Sequence, residues 1–569
     1  MRAVNLFLQL EDQSSFRLFS PLFASQNRFR ALTIEKYLLR YPSNTACGET
    51  EDSRIFQICS NINSVPQILP LKGCPIPYLA SLEVDQRQNF IQQADTLREM
   101  IGASGLISQS VEIAKEAQKR FPTVEFFWPV SGVLRFRSDD LPKLYRCLQE
   151  IRIELEHAGL TSSIGIVTLG SGLDQANREI DHQVRSFKDA KSGAIARPAC
   201  PYFAPCGIQP QLPANHWRPH ERDGRRRLTS HEAATRLTQH ARSVETMYQG
   251  LNRRGLDIPY EMKDLVISDR DQYIAVIKAD VDGLGRLLAR LSFQQLALHR
   301  PDRDPIRAST AFTKALADCV KRAAHAAMDE LSEQCAANNK HYPFVPLILA
   351  GDDLLILCQR HLALDFVWRL SRLYQDTARD HPVLKQAFEV SGLTGQESLT
   401  LSFGVLFCKQ GFPFDAAVDM AEELVTSAKK RRHSLLPTEK EGCVDFHWLA
   451  SSGRESVEDA RRKGEMYVDS NATTYSLVTR PWLCSELFTH DDAAHRFNLL
   501  PSRKAHQLDT VLRLGPLSEL AWKKWLSSLE PQQREAFPTS PWFPDLSTHW
   551  LEIAQMAETM RVPDEARTQ

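Results

Sequence analysis

Two apolar runs in the second half of the chain predict buried strands that end in carboxylates. The first run, residues 271–291, reads DQYIAVIKADVDGLGRLLARL, in which an apolar strand reaches Asp280 and Asp282 and a helix begins after Gly283 and Gly285. Side chains two residues apart on a strand point to the same face of the sheet. We therefore expect the two carboxylates to share one face.

The second run, residues 346–358, reads PLILAGDDLLILC and places Asp352 and Asp353 between two apolar segments. Apolar segments on both sides of a glycine and a polar pair predict a tight hairpin with two buried strands. Aspartate and glycine are also common in ordinary turns. This run by itself therefore indicates only a hairpin. A second carboxylate pair close to it is needed to indicate a functional site.

The order of the predicted elements brings the two carboxylate pairs together. Residues 399–407 predict a further strand and residues 415–432 an amphipathic helix, which completes the βαββαβ plan of a ferredoxin-like fold. The first strand and the hairpin are neighbours in such a sheet, so Asp280 should lie close to the hairpin carboxylates. Clustered carboxylates repel one another without a cation, which predicts a site for magnesium or manganese.

The N-terminal third carries a weaker copy of the same pattern. SIGIV at residues 163–167 parallels SFGVL at residues 402–406, and Lys191 follows the first segment at nearly the distance at which Lys429 follows the second. Residues 124–136 predict the equivalent hairpin. The chain is therefore expected to contain two ferredoxin-like modules in tandem.

Only the second module is expected to perform chemistry. In the first module, residues 4–10 are the predicted first strand and residues 96–121 the predicted first helix. Its hairpin tip, residues 130–133, has no carboxylate, although Glu11 and Asp12 could supply half of a metal site. We predict that this module binds nucleotide at most.

Composition and charge restrict the location of any polyanion site. The 569 residues are 43% hydrophobic and 24% charged, with 69 basic and 70 acidic side chains. A net charge near zero gives no general attraction to nucleic acid or membrane, so the basic runs at residues 222–227 and 429–432 are the local candidates.

Hydropathy and cysteine content indicate a cytoplasmic protein that does not bind a membrane. The chain has no apolar stretch long enough to span a bilayer, and its N-terminal apolar stretch is too short for a secretory signal. The 12 cysteines are scattered through the chain, which favours free thiols or metal ligands over a disulfide framework.

The carboxylate pairs suit two-metal phosphoryl transfer. In that chemistry one metal ion activates a hydroxyl nucleophile and the other holds a nucleotide triphosphate. Gly351 lets a ligand approach the backbone closely. Lys429 and Lys430 are either placed to neutralise the triphosphate or are ordinary basic residues at a helix C-terminus.

Taken together, these motifs resemble the palm of nucleotidyl cyclases. More specifically, they resemble the large polymerase-like subunit of type III CRISPR effector complexes, of the Cmr-like kind. That family usually has Gly-Gly-Asp-Asp where this chain has Ala350, Gly351, Asp352 and Asp353. The tandem order, with a degenerate first copy, is also the family's, and the resemblance covers nearly the full chain.

The resemblance implies an α+β fold. It consists of two ferredoxin-like palm domains, a small insertion domain and a C-terminal helical domain. The implied domains are a degenerate first palm with an insertion at 1–195, a linker or zinc-binding and helical domain at 196–268, a catalytic second palm at 269–440 and a C-terminal helical, thumb-like domain at 441–569.

The resemblance also implies a function in antiviral defence, namely the synthesis of cyclic oligoadenylate from ATP when target RNA is bound. The implied partners are the backbone and small subunits of the effector, the guide RNA and the target RNA. By resemblance, Asp280 and Asp353 are the metal ligands, with support from Asp282 and Asp352. The implied nucleotide-binding residues are Gly351, Ser402 near the adenine and Lys429 on the triphosphate.

A zinc site is the second metal prediction. The family often carries a zinc-binding insertion between the palms, where residues 200–220 here have the spacing C-x5-C-x9-H-x3-H. Cys200, Cys206, His216 and His220 could form a tetrahedral site. The spacing departs from the usual C-x2-C knuckle, so a proline-rich linker without metal is the alternative.

The sequence leaves two alternative hypotheses for the function, a catalytically silent scaffold subunit and a stand-alone nucleotide cyclase. A catalytically silent scaffold subunit would have no reason to keep clustered carboxylates, and a stand-alone nucleotide cyclase would not need the long C-terminal helical region. Many relatives carry an HD nuclease domain ahead of the first palm. The first histidine here is His157, so no such domain is expected.

Overall fold

The computed structural model of the chain describes thirteen stretches of sequence. They are residues 77–94, 96–130, 132–170, 172–192, 204–207, 212–219, 226–268, 271–335, 339–393, 399–435, 441–449, 456–535 and 537–560.

The strands of the described residues form two larger sheets and two hairpins. They are β1 Tyr78–Val84, β2 Glu125–Val130, β3 Val133–Ser138, β4 Ser162–Thr168, β5 His216–Pro219, β6 Arg226–Thr229, β7 Tyr273–Asp282, β8 Phe344–Ala350, β9 Asp353–Gln359, β10 Thr400–Lys409, β11 Cys443–Trp448, β12 Met466–Val468, β13 Thr474–Ser476 and β14 Trp482–Leu483.

The α-helices cover the faces of the sheets and make up most of the C-terminal part. They are α1 Arg87–Gln92, α2 Leu97–Arg120, α3 Leu141–His157, α4 Leu173–Ser192, α5 His231–Met247, α6 Leu284–Arg290, α7 Phe293–Leu298, α8 Pro305–Cys335, α9 Ala363–Asp380, α10 Pro382–Ser391, α11 Phe414–Ser434, α12 Val457–Gly464, α13 Cys484–Asn498, α14 Ser502–Leu512, α15 Ser518–Ser527, α16 Pro531–Arg534 and α17 Trp550–Met560. No helix of the described stretches has an apolar segment long enough to cross a bilayer.

The first palm is the module built on β1 to β4. Its sheet has the order β2-β3-β1-β4, with antiparallel pairing throughout, as a ferredoxin-like fold requires. The prediction of residues 4–10 as its first strand is wrong, because Tyr78–Val84 fills the central position between β3 and β4. Ala80, Leu82 and Val84 alternate with Ser81 and Glu83, so the sequence carried the period-two pattern of a strand that the prediction did not use. Residues 4–10, Glu11 and Asp12 lie outside the described residues.

The first long helix of the first palm agrees with the sequence prediction. α2 begins with a capping box, in which the Thr96 side chain accepts from the Glu99 backbone and the Glu99 carboxylate accepts from the Thr96 backbone. The predicted helix over 96–121 is therefore confirmed as Leu97–Arg120. α5, from the segment between the palms, packs along α2.

The second palm is the module built on β7 to β11. Its sheet has the order β14-β11-β10-β7-β9-β8, and only the β10–β11 pair is parallel. The four strands predicted from the sequence form its βαββαβ core. β11 and β14 extend the sheet beyond residue 440, the predicted end of this domain. The α+β fold with two ferredoxin-like palms is confirmed.

The two faces of the second sheet contribute to different cores. Ala275 and Ile277 of β7 pack in a core with α8 and α9. Ile274 and Val276 pack in a second core together with α11 and with α2 of the first palm. Side chains alternate along a strand, so Asp280 continues the register that faces α11 and the first palm.

A glycine sets how closely α11 lies on this face. A Cβ atom added at Gly404 of β10 would lie 2.2 Å from the carbonyl oxygen of Ala421 and 2.7 Å from the amide nitrogen of Val425. Only a residue without a side chain fits at this distance, which keeps Lys429 of α11 close to the sheet.

Substitution of Gly404 should test this packing. We expect Gly404→Ala to lower the free energy of unfolding by roughly 1 to 3 kcal/mol or more, because backbone atoms must move to admit the methyl group. Gly411→Ala is the matched control, since its methyl group would meet no atom within 4 Å. Urea denaturation of both variants measures the difference, and equal midpoints would contradict the proposed close packing.

Candidate active site

The sheet places two of the predicted metal ligands directly opposite each other. β7 and β9 pair antiparallel, and Asp280 is the register partner of Asp353. Cross-strand partners project to the same face of the sheet. The predicted meeting of the first strand and the hairpin is therefore confirmed, and Asp353 rather than Asp352 is the hairpin residue in register with Asp280.

The hairpin turn depends on Gly351. Ala350 pairs with Asp353, which leaves Gly351 and Asp352 as a two-residue loop. Gly351 has a φ of +68°, whereas Asp352 does not have a positive φ. A positive φ at the first loop residue is the pattern of a type II′ turn, which glycine adopts without strain. The exposed Asp352 consequently lies at the tip.

Asp280 is bonded to a cation that the protein supplies. The ammonium group of Lys429 donates to Oδ2 of Asp280. Burial raises the pKa of Asp280, the bond to Lys429 lowers it, and the neighbouring Asp352 and Asp353 raise it again. Lys429 thus neutralises Asp280, the carboxylate that was expected to bind metal. The sequence analysis had placed Lys429 on the triphosphate instead.

Asp282 is the most deeply buried carboxylate of the site, with 7% of its surface exposed. Its Oδ2 accepts from Thr400 Oγ1 at 2.9 Å, and Ser402 Oγ lies 2.8 and 2.9 Å from its two oxygens. Burial raises the pKa of Asp282, and these two hydroxyl donors oppose the rise. In this structure the Ser402 side chain is fully buried and is committed to Asp282, so it is not exposed to an adenine base.

Asp353 has two different electrostatic partners. Its Oδ2 accepts a hydrogen bond from Gln88 Nε2 at 2.8 Å. The second partner is the positive charge of Lys278, which is also ion-paired with Glu422. Burial raises the pKa of Asp353, while Lys278 and Gln88 lower it. Gln88 belongs to the first palm, so side chains of both palms meet at Asp353.

Four members of this network were not among the predicted site residues. Lys278 and Thr400 each lie two residues from a predicted site residue on the same strand, so the alternation of faces could have found them. Arg432 donates to Thr400 at 3.2 Å and lies three residues after Lys429, on the same side of α11. Gln88 had no such signal, because its contact joins residues 265 positions apart.

The first palm retains a counterpart of this network. β1 and β4 pair Glu83 with Ser163, as β7 and β10 pair Asp280 with Ser402. Ser163 Oγ donates to Asp85 at 2.7 Å, in the way that Ser402 donates to Asp282. The carboxylates of the first strand are therefore Glu83 and Asp85, in place of the predicted Glu11 and Asp12.

A lysine completes the counterpart. Lys188 Nζ lies 2.6 Å from Glu83, as Lys429 is bonded to Asp280. Gly165 packs against Val184 as Gly404 packs against Val425, and each lysine follows its valine by four residues. The predicted equivalence of Lys191 with Lys429 is therefore wrong by one helical turn, and Lys188 is the equivalent residue.

The first palm lacks the hairpin carboxylate, as predicted. The register partner of Glu83 in β3 is Val133, at the position that Asp353 holds in the second palm. A valine side chain cannot bind a cation, so this module keeps a strand carboxylate pair without its cross-strand partner.

The donor set of the second palm fits a hard divalent cation. Asp280 and Asp353 present carboxylate oxygens from directly paired positions, and Asp352 is adjacent in the chain. With Asp280 bonded to Lys429 and Asp353 to Gln88, the described residues contain no group of three or more acidic, histidine or cysteine side chains arranged to hold a metal ion.

The zinc prediction is not tested by the described residues. Cys200 and His220 lie outside them, Cys206 is buried and His216 is exposed. His216 Nε2 lies 3.2 Å from Nδ1 of His231, a histidine that the sequence analysis did not include. Zinc binding by Cys200, Cys206, His216 and His220 stays a prediction.

The contribution of the Ser402–Asp282 hydrogen bond to the free energy of unfolding should depend on pH. The pKa of Asp282 is raised above its ordinary value of 3.8, so the stability of the fold falls as the pH rises from about 3.8 through the raised pKa. Ser402→Ala removes a donor to the ionised carboxylate, a bond worth roughly 1.5 to 3 kcal/mol, and raises this pKa further. We expect a larger loss of stability at about pH 7 than at about pH 4.

Ser391→Ala is the matched control for this substitution. Its hydroxyl is also buried, but it donates at 2.9 Å to the carbonyl oxygen of Phe388, which does not titrate. Urea denaturation at both pH values compares the two variants. An equal cost of Ser402→Ala at both values would contradict the coupling to Asp282.

Comparison with known proteins gives a family match over the second palm. Residues 273–435 match the model of the Cas10/Cmr2 second palm domain. The matched segment contains all four predicted catalytic aspartates together with Lys429. No curated protein matches the chain in sequence.

Solved structures give matches of low identity over most of the chain. A Csm1–Csm4 cassette in complex with pppApA has 14% identity, with 85% of this chain and 69% of that chain covered and a TM-score of 0.45. The apo Csm1–Csm4 cassette has 15% identity, coverage of 86% and 70%, and a TM-score of 0.44. A Csm1–Csm4 subcomplex of the type III-A CRISPR-Csm interference complex has 14% identity, coverage of 86% and 70%, and a TM-score of 0.42.

The family match and the site geometry meet in the same segment. The Asp280 and Asp353 pair, its lysine and its glycine turn all lie within the matched residues. The resemblance drawn from the sequence is therefore confirmed over residues 273–435, the segment that matches the Cas10/Cmr2 second palm domain.

Proposed function

We propose that this chain is the palm subunit of a type III CRISPR RNA-guided effector and that it joins ATP into cyclic oligoadenylates when target RNA is bound. One observation carries the proposal. Asp280 and Asp353 are register partners on adjacent strands within the segment that matches the Cas10/Cmr2 second palm. The partners in this proposal are the other effector subunits, the guide RNA and the target RNA.

Asp280 and Asp353 are the residues that would hold the metal ion, with Asp352 beside them. Magnesium or manganese, when bound, supplies charge neutralisation for the triphosphate and activation of the attacking hydroxyl. The loop residue Gly351 has no side chain, so a ligand can approach the backbone next to these carboxylates closely.

Lys429 would have a second role with a cation bound at Asp280. Its ammonium group would then no longer be needed to neutralise that carboxylate and would pair with a triphosphate. The carboxylate and the triphosphate would then each have a cationic partner, which would limit the cost of burying their charges. Asp282 stays fixed by Thr400 and Ser402 throughout, because both hydroxyls are buried with it.

The first palm has a supporting part in the proposal. Its strand carboxylates, Glu83 and Asp85, lie in a network like that of the second palm, but Val133 replaces the hairpin carboxylate. We expect it to bind nucleotide without performing chemistry.

The central test removes the hairpin carboxylates. Asp352→Ala with Asp353→Ala should abolish nucleotide polymerisation and leave folding and RNA binding nearly unchanged, because these groups bind metal and do not fill a core. The assembled complex is incubated with ATP, magnesium and target RNA, and the products are identified by mass analysis.

A control of equal charge change makes this test specific. Asp376→Ala with Asp380→Ala removes two acidic residues that pair with Arg379 at the end of α9. This control should synthesise product at the wild-type rate. Wild-type synthesis by the Asp352 and Asp353 variant would overturn the palm assignment. A wild-type complex without product would favour a silent scaffold, and synthesis without RNA would favour a stand-alone cyclase.

The first palm is tested by neutralising its strand carboxylates. Glu83→Gln with Asp85→Asn should reduce the rate of synthesis far less than the substitution of Asp352 and Asp353, since Val133 leaves the module without a complete site. The comparison uses initial rates at saturating ATP together with the unfolding midpoint. An equal loss of activity in a stably folded variant would show that the first palm is catalytic.

A further inference from the structure

The segment after β1 repeats the backbone of the segment after β7. Gln86 and Gly283 each follow the second strand carboxylate, have φ values of +46° and +79°, and cap the helix that comes next. A positive φ is common for glycine and uncommon for glutamine. The two segments therefore correspond residue by residue, and Gln88 stands where the second palm has Gly285.

The two corresponding positions have different surroundings. A Cβ atom added at Gly285 would meet no atom within 4 Å, so this position opens onto free space. Gln88 instead carries a side chain whose Nε2 donates to Oδ2 of Asp353 at 2.8 Å. The first palm thus contributes a neutral amide donor to the hairpin carboxylate of the second.

Packing fixes the helix that carries Gln88. A Cβ atom added at Gly132, at the tip of the first hairpin, would lie 2.5 Å from Cδ of Arg87, and Ile91 is buried in the core shared by both palms. Gln92 Nε2 also lies 3.4 Å from Asp419 of α11. The short helix α1 therefore packs on elements of both palms. This packing holds the Gln88 side chain next to Asp353.

The bond from Gln88 engages one carboxylate oxygen only. Within the described residues no hydrogen-bond donor contacts Oδ1 of Asp353, whereas Oδ2 is held by Gln88. A neutral donor on one oxygen orients a carboxylate and leaves its charge and its other oxygen available to a cation. Partners of this kind typically raise the affinity of a ligand set for its metal about 10- to 100-fold.

We propose that Gln88 is a positioning residue for the metal site of the second palm, which it serves from the first palm by orienting Asp353. This inference rests on the proposed function, since it requires Asp353 to bind a divalent cation. It makes metal affinity depend on how the two palms are packed, because Gln88 can hold Asp353 only while α1 stays seated on the second palm.

Manganese binding to the full-length protein without nucleotide tests the proposal. Gln88→Met keeps the length of the side chain and removes the donor, and we expect it to weaken Mn²⁺ binding about tenfold in a titration followed by electron paramagnetic resonance. Gln92→Met is the matched control, one turn further along α1 and also facing the second palm. It should bind Mn²⁺ as the wild type does, and both variants should unfold at similar urea concentrations.

A double substitution separates positioning from a general effect on structure. In an Asp353→Asn background, Gln88→Met should cause no further loss of Mn²⁺ affinity, because the group that it orients has gone. Unchanged Mn²⁺ affinity in Gln88→Met, with affinity lost in Asp353→Asn, would overturn the role of Gln88 and leave the proposed function intact. Unchanged affinity in Asp353→Asn would overturn both.

Discussion

The cost of placing carboxylates together on a largely buried sheet face is the constraint on which this structure depends. Burial raises the pKa of Asp280, Asp282 and Asp353, and each of them has a donor that opposes the rise. The donors differ in kind, since Asp280 has an ammonium group, Asp282 two hydroxyls and Asp353 an amide. A charged partner can be exchanged for a metal ion, whereas buried hydroxyls hold their carboxylate permanently.

The two palms share a core at the face of the second sheet that carries the carboxylates. The face of the second sheet that carries the carboxylates packs with α11 and, through the shared core, with α2 of the first palm. Covering this face excludes water and strengthens every electrostatic contact within it. Side chains of the first palm can then reach the site, as Gln88 does.

The two palms share the network around the strand carboxylates but differ at the hairpin carboxylate. In the first palm, Glu83, Asp85, Ser163 and Lys188 form the same bonds as their counterparts. These bonds join strand to strand and strand to helix, so they stabilise the module whether or not it binds a cation. Among the described residues, the hairpin carboxylate of the second palm accepts no hydrogen bond from its own module, where Lys278 is its favourable electrostatic partner, and Val133 stands at its position in the first palm.

A different arrangement of charges joins the C-terminal part to the second sheet. Glu552 of α17 accepts bonds from the backbone of Thr479 and Arg480, just before β14. Burial raises the pKa of Glu552 to about 7, and the charge of Arg480 is the largest influence that opposes this rise. Arg480 also lowers the pKa of Glu465, which is about 2 although Glu465 is buried. Arginine here balances several carboxylates at once, in contrast with the one-to-one pairing in the palm.

The sequence by itself determined the second palm and the meeting of its carboxylates. Alternation along β7 and the apolar strands of the hairpin specify burial, and the βαββαβ order leaves one place for the hairpin, next to the first strand. The prediction overlooked Tyr78–Val84, although residues 80–84 alternate apolar and polar side chains, and it misplaced Lys188, whose position depends on where α4 rests on its sheet. The burial of Ser402 under Asp282 and the contact of Gln88 with Asp353 were decided only by the tertiary structure, because they follow from how α11 and the first palm cover the sheet.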